Sequence, residues 1–216
     1  MKSKKLSDLF LKCLRGPFIH TDNSGDYYAE RIGDTLYIFL ECSSGEEDWR
    51  NNFDFPAAPY REMNDGIWFC HRGFLRVWKS VEDDIKILVR DSGIRSAVVS
   101  GYSHGAALAT LCHEYIWYNR PDLRESLLGY GFGSPRVVFG ILPSGIRKRF
   151  ERFTVIRNID DIVTHVPPRL FGYSHVGRLL RIGEAGKYTK IDAHRPENIY
   201  NELIIYEGAV AFRHNR

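Results

Sequence analysis

The run Ser100-Gly101-Tyr102-Ser103-His104-Gly105 sets a serine between two glycines at G-x-S-x-G spacing. Alone, five residues of this kind make an ordinary turn. Here the apolar Ala97-Val98-Val99 precedes them and the small pair Ala106-Ala107 follows, so the order reads strand, serine, helix. That context gives the pattern chemical meaning. A serine on so sharp a bend projects its hydroxyl away from the strand. Gly101 and Gly105 remove the Cβ atoms that would collide across the bend, and the helix aims its unpaired N–H groups at the place where negative charge would develop. The chemistry implied is nucleophilic attack on an acyl carbon. A serine hydroxyl is a poor nucleophile near neutral pH, so the same fold must supply a base and a carboxylate to orient it.

When a serine stands on this turn, the chain order of the three groups is serine, acid, histidine. The apolar run Phe153 to Ile156 continues through Asn158 into Ile159-Asp160-Asp161-Ile162-Val163, which offers two adjacent acids just past a strand. Beyond them come His165, His175, His194 and His214 as candidate bases.

These groups need a scaffold, and periodicity supplies one. Leu6, Leu9, Phe10, Cys13 and Leu14 recur at helical spacing, so residues 1–20 contain an amphipathic helix expected to dock on the protein's own core. Tyr27 to Ala29 and Thr35 to Glu41 read as two strands around Gly33-Asp34. The stretch from Ser43 to Gly66 is expected to be loop, with Pro56 and Pro59 opposing regular structure. Ile67 to Cys70 reads as a short strand. Leu75, Trp78, Val81, Ile85 and Leu88 form one face of a long helix ending near Gly93. Ser96 to Ser100 is a buried strand, Ala106 to Tyr118 a helix stopped by Pro121, Leu127 to Phe132 and Phe153 to Ile156 further strands, Gly177 to Ile182 a strand pair, and Ile199 to Phe212 a last helix. Strands alternating with helices predict an α/β fold with a mostly parallel central sheet and helices on both faces. No repeat or linker divides residues 1–216, so one domain is expected.

Composition narrows the function classes. Hydrophobic residues at 44% and charged residues at 26% are the balance of a globular chain rather than a disordered one. A formal charge of +3, with lysines and arginines scattered, gives no reason to expect a nucleic-acid partner. Cys13, Cys42, Cys70 and Cys112 show no metal-binding spacing and call for no disulfide framework. Ser7, Asp8 and Lys12 interrupt the apolar residues of Met1 to Arg15, so this segment lacks the unbroken core of a secretion signal, and a cytoplasmic, reduced protein is expected.

Several ordered blocks resemble the class 3 lipases, the fungal-type family within the α/β-hydrolases. Gly101-Tyr-Ser-His-Gly-Ala-Ala-Leu-Ala109 resembles the family's G-H-S-L-G-G-A-L-A turn. His71-Arg-Gly-Phe74, Gly133-Ser-Pro-Arg-Val137 and Asn158-Ile-Asp-Asp161-Ile-Val163-Thr-His-Val-Pro167-Pro168 are similar to its other blocks, from about Tyr37 to Tyr200. The resemblance implies an α/β-hydrolase-type fold and a carboxylic-ester hydrolase of the lipase or esterase kind acting on acylglycerols or short-chain esters. Its nucleophile would be Ser103, its acid Asp161 rather than the neighbouring Asp160, and its base His194 in Asp192-Ala193-His194. His175 falls in a block that is structural in the family, and His165 is expected at the surface. A catalytically inactive lipase-like binding protein, and a thioesterase or acyltransferase, are the rival readings.

The resemblance also implies an oxyanion hole built from the backbone N–H of His104 and from Ser43. At that turn Glu41-Cys42 replaces the family's Arg-Gly, and Tyr102 and His104 replace His and Leu around the nucleophile. The segment that would be the family's lid, Ser44 to Phe53, carries only Trp49 and Phe53 as large apolar residues. A small or absent functional lid, and preference for soluble or short-chain esters, is expected. The substrate is then a small-molecule ester or lipid, with no metal or organic cofactor required. Nothing in the sequence indicates membrane contact or sets an oligomeric state.

Overall fold

In the computed structural model, residues 5–21, 25–42, 56–60 and 67–214 are described. Chain order gives α1 (Leu6–Arg15), β1 (Ile19–His20), β2 (Gly25–Ile32), β3 (Thr35–Cys42), β4 (Ala57–Tyr60), β5 (Trp68–His71), α2 (Arg72–Val89), β6 (Ser96–Tyr102) and α3 (His104–Asn119). There follow β7 (Leu127–Phe132), β8 (Val138–Phe139), α4 (Ser144–Lys148), β9 (Phe153–Asn158), β10 (Tyr173–Ser174), β11 (Arg178–Ile182) and α5 (Pro196–His214).

The main sheet runs β1-β2-β3-β6-β7-β9-β11, antiparallel through β1, β2 and β3 and parallel from β3 onward. The parallel strands need cover on both faces, and they have it. On one face α2 and α3 bury Trp78, Ile85, Leu108 and Leu111 with Phe150 and Phe153. On the other, α1 and α5 bury Phe10, Ile199 and Leu203 against Phe39, Phe132 and Ile156. α1 is therefore docked on the core. Ser7 donates through its N–H and Oγ to the Glu207 carboxylate of α5 at 3.0 and 2.7 Å. Helix α3 is buried around its whole circumference from Gly105 to Ile116, the mark of a central helix.

Two expectations are corrected. Pro59 does not prevent a strand: β4 pairs antiparallel with β5, with Pro59 opposite Phe69. Among the described residues it is the edge strand of a second, four-stranded sheet, β10-β8-β5-β4, the kind of strand in which proline is tolerated. Gly177 to Ile182 is not a strand pair but one strand, β11, lying parallel to β9, while the two-residue β10 belongs to the second sheet. That second sheet was not anticipated, because its short strands carry too little periodicity to register. Cys13, Cys70 and Cys112 are buried free thiols.

The packing that positions Ser103 is tightest where α3 begins. A Cβ on Gly105 would stand 2.0 Å from the Leu40 carbonyl oxygen of β3, and one on Gly101 would stand 2.1 Å from the Gly105 oxygen. Backbone, not a flexible side chain, occupies both places. Gly105→Ala is expected to destabilise the fold by roughly 3 kcal/mol or more in urea unfolding. Gly145→Ala in α4, where nothing lies within 4 Å, should be neutral or slightly stabilising.

Candidate active site

Strand β6 ends at Tyr102, and Ser103 turns the chain into α3 with φ +53° and ψ −119°. It is the one non-glycine residue with positive φ among those described. Such a conformation costs on the order of 1–3 kcal/mol and persists only where the surroundings fix it. Two backbone bonds do so: the Ser103 N–H donates to the Phe132 carbonyl at the end of β7 at 2.9 Å, and its own carbonyl accepts from Ala106 at 3.1 Å. The hydroxyl is thereby left free to face a partner.

That partner is His194. Its Nε2 lies 2.8 Å from Ser103 Oγ, and its Nδ1 lies 2.8 Å from Asp161 Oδ2. Asp161 is fully buried and His194 nearly so. The other Asp161 oxygen, Oδ1, accepts from the Val163 N–H at 2.8 Å, which sets the carboxylate's plane. Asp161 N–H in turn donates to Asn158 O at 3.0 Å. The acid thus sits in a tight turn just past β9, the serine just past β6, and the histidine in the 3-10 turn Asp192–His194 before α5. Three positions far apart in sequence converge at the carboxyl ends of the parallel strands.

The neighbouring candidates are accounted for. Asp160 Oδ2 accepts from the Gly186 N–H at 2.7 Å, away from the imidazole. His175 Nε2 lies 2.8 Å from the Thr164 carbonyl, and burial lowers its pKa to about 4; Thr164 Oγ1 donates to Asp161 O at 2.8 Å, so His175 braces the acid loop. His165 is exposed. His214 ends α5, and its side chain lies outside the described residues.

His104 opens α3, where the first N–H groups have no partner inside the helix, so its backbone is available as a donor beside Ser103. Its ring packs 4.9 Å from Phe74, and its Nε2 is buried without a hydrogen-bond partner among the described residues. Burial first, then the nearby His71, lower its pKa to about 4, so the ring stays neutral near neutral pH. Ser43 and the segment Ser44 to Phe53 lie outside the described residues. β3 runs to Cys42, one residue short of Ser43. Glu41, where the family pattern has Arg, faces Asp26 across the β2–β3 pair. Its pKa is raised, chiefly by burial and then by Asp26, while His20, 2.9 Å from Asp26, works in the opposite direction.

Four residues that hold the imidazole and acid were legible only as parts of blocks, not by role. Tyr102 donates its hydroxyl to the His194 carbonyl at 2.6 Å and stacks its ring on the imidazole at 5.1 Å between centroids. Asn158 Nδ2 donates to the Ala193 carbonyl at 3.0 Å. Arg136 donates to the carbonyls of His165 and of Pro167, anchoring the far side of the acid loop. Gly133, at φ +58°, would bring a Cβ to 2.9 Å from His194 Cε1 and 3.2 Å from Asp161 Oδ2. The signal available in sequence was their place in the blocks that resemble the family's, beside the serine and acid; the partners required coordinates.

A mostly parallel sheet with helices on both faces, and a serine on the strand-to-helix turn, define the α/β-hydrolase fold. Residues 37–171 match the family Lipase (class 3), which is more than half of the chain, and the chain belongs to that family. It is similar to secreted mono- and diacylglycerol lipase 1 of Fusarium solani, 29% identical over 74% of this chain and 45% of that protein. It is also similar to the lipase of Rhizomucor miehei, 28% identical over 66% of this chain and 40% of that protein. Among solved structures, the lipase from Rhizopus microsporus var. chinensis superposes with a TM-score of 0.67 at 25% identity, over 77% of this chain and 61% of the other. The chain thus spans less than half the length of these two curated relatives.

The cytoplasmic expectation is overturned by these relatives, since the Fusarium protein is named as secreted. That expectation rested on the interrupted apolar pattern of Met1 to Arg15. In the structure Leu6–Arg15 is a docked amphipathic helix; of the interrupting residues Asp8 is exposed, Lys12 is half-buried and Ser7 is buried against Glu207 of α5, so the pattern reports docking rather than compartment.

The two adjacent acids allow a direct comparison. Asp161→Asn is expected to lower kcat for ester hydrolysis by about 10⁴-fold, the scale seen when the imidazole loses its orienting carboxylate, whereas Asp160→Asn should stay within a few-fold of wild type in steady-state kinetics.

Proposed function

We propose that this chain is a serine carboxylic-ester hydrolase that cleaves acylglycerols or short-chain esters through an acyl-enzyme on Ser103. The observation that carries this reading is the unbroken line Ser103 Oγ, His194 Nε2, His194 Nδ1, Asp161 Oδ2, with 2.8 Å at each hydrogen bond. Membership of the class 3 lipases supports it.

In the first half-reaction His194 Nε2 takes the proton of Ser103 as Oγ attacks the ester carbonyl carbon. Asp161 holds Nδ1–H, which keeps Nε2 as the accepting nitrogen and stabilises the imidazolium that forms. The carbonyl oxygen gains negative charge, and the His104 backbone N–H is one donor to it; by resemblance Ser43 is the other. Such donors are each worth roughly 2.7–4 kcal/mol of barrier. The C–O bond to the alcohol then breaks, and the leaving oxygen takes the proton from His194. In the second half-reaction a water gives its proton to His194, attacks the acyl carbon, and releases the carboxylic acid with return of the proton to Ser103. No step calls for a group beyond these side chains and backbone. Action outside the cell, as the name of the Fusarium relative states for that protein, fits this reading.

A p-nitrophenyl ester series of increasing acyl length tests the proposal. Wild type is expected to be most active on the short esters, in keeping with the sparse apolar content of Ser44 to Phe53. Ser103→Ala should lose at least about 10⁴-fold in kcat across the series. Hydrolysis that survives this substitution unchanged would remove the serine from the mechanism.

A further inference from the structure

The opposite end of the sheet carries a second feature that ester hydrolysis does not use. A cleft of about 400 Å³ opens beside Leu128, Thr154 and Arg178. These are the second residue of β7, the second of β9 and the first of β11, so the cleft lies at the amino ends of strands whose carboxyl ends hold the Ser103 site. A six-residue strand such as β7 spans about 20 Å, which makes the two sites separate.

Five basic side chains line the cleft, Arg124, Lys148, Arg149, Arg152 and Arg178, against two carboxylates, Glu125 and Glu151. The excess of three positive charges around this one cleft equals the formal +3 of the whole chain. The partners within the protein use only part of that charge. Arg149 Nη1 pairs with buried Glu114 at 2.8 Å, and Arg152 pairs with the exposed Glu125 at 2.9 Å. Arg124 spends its Nε on the Trp117 carbonyl at 2.9 Å and lies 3.9 Å over the Trp117 ring, which fixes its fork without neutralising it. Lys148 and Arg178 are exposed and make no ion pair among the described residues. Like charges gathered around a concave wall repel one another, and the arrangement gains most from an anion placed between them.

We propose that this cleft is a binding site for a small polyanion bearing two or more phosphate groups on a ring-sized body. Guanidinium forks match phosphate oxygens bidentately, and Lys148 adds a point charge. The volume exceeds what one inorganic phosphate fills and lies in the range of small-ligand sites. The cations come from three separate elements, the segment after α3, α4 with the turn beyond it, and β11, so phosphates at more than one position of the ligand are needed to engage them. Trp117 and Tyr130 provide the apolar wall for the body that carries them. The same chemistry occurs in soluble inositol phosphates and in phosphoinositide headgroups.

Titration calorimetry with inositol trisphosphate on the full chain tests this. Binding is expected at low salt and should weaken as salt is raised. The double variant Lys148→Ala/Arg178→Ala should bind at least about tenfold more weakly, the scale of one lost charge-assisted contact. Glu125→Gln, which releases Arg152 from its exposed carboxylate, should bind more tightly, a direction that general loss of structure would not produce. Ester hydrolysis in both variants should match wild type and shows that each is folded. Sedimentation with phosphatidylcholine vesicles, with and without phosphatidylinositol bisphosphate, assigns the source. Retention only on the phosphoinositide vesicles identifies a headgroup site, and no retention alongside inositol trisphosphate binding identifies a soluble ligand. Absence of inositol trisphosphate binding to wild type, or undiminished binding by the double variant, would overturn the proposal.

Discussion

The rest of the structure depends on a strained serine held between the end of a buried strand and the start of a buried helix. A φ of +53° at Ser103 is unfavourable for any residue with a side chain, and it survives because nothing around it can relax. β6 lies inside the sheet with β3 and β7 on its two sides, and α3 is enclosed along twelve consecutive residues from Gly105 to Ile116. Neither element can shift without opening the core. The glycines at 101 and 105 let the two approach until backbone meets backbone. Strain at one residue is thus offset by packing spread over several elements.

The imidazole is held by a different means. His194 stands on a single 3-10 turn, a weak element by itself, and its pose is set from outside. Asn158 and Tyr102 take the carbonyls on either side of its backbone N–H, those of Ala193 and His194. The Tyr102 ring covers one face of the imidazole, and Gly133 leaves room for its edge. Tyr102 is supported in turn by Phe10 of α1, whose ring lies 5.5 Å away at nearly a right angle. The amino-terminal helix therefore bears on the site through two aromatic rings, although it contributes no atom to the hydrogen-bonded line. Desolvation around these groups strengthens each electrostatic contact in the site.

Much of this was readable in the residues. The strand, serine, helix order gave the turn, and the alternation of apolar runs gave the parallel sheet, because both depend on local spacing. Family resemblance selected Asp161 and His194 among their neighbours, and the geometry brings both to Ser103. Spacing alone left Asp160 and Asp161 as equals, and what separates them is the partner each meets: the Gly186 N–H for Asp160, and His194 Nδ1 with the Val163 N–H for Asp161. Pro59 misled because proline excludes interior strands but not edges, and edge position is a property of the whole sheet. The three-dimensional work of Tyr102, Asn158, Arg136 and Gly133 was hidden for the same reason, since each acts on a residue remote in the chain. The compartment was misread from a helix whose polar positions serve its docking, with Asp8 in solvent and Ser7 bonded to Glu207. The turn at Ser43, where Glu41-Cys42 departs from the family pattern, lies outside the described residues.

The central claim is that the bend presents one activated hydroxyl, and activity-based labelling measures that directly. A fluorophosphonate probe should modify wild type at Ser103 alone, as read by tryptic mass spectrometry, with the rate of modification falling by orders of magnitude in His194→Ala. A probe adduct on another residue, or labelling of Ser103 at the same rate without the imidazole, would contradict the account.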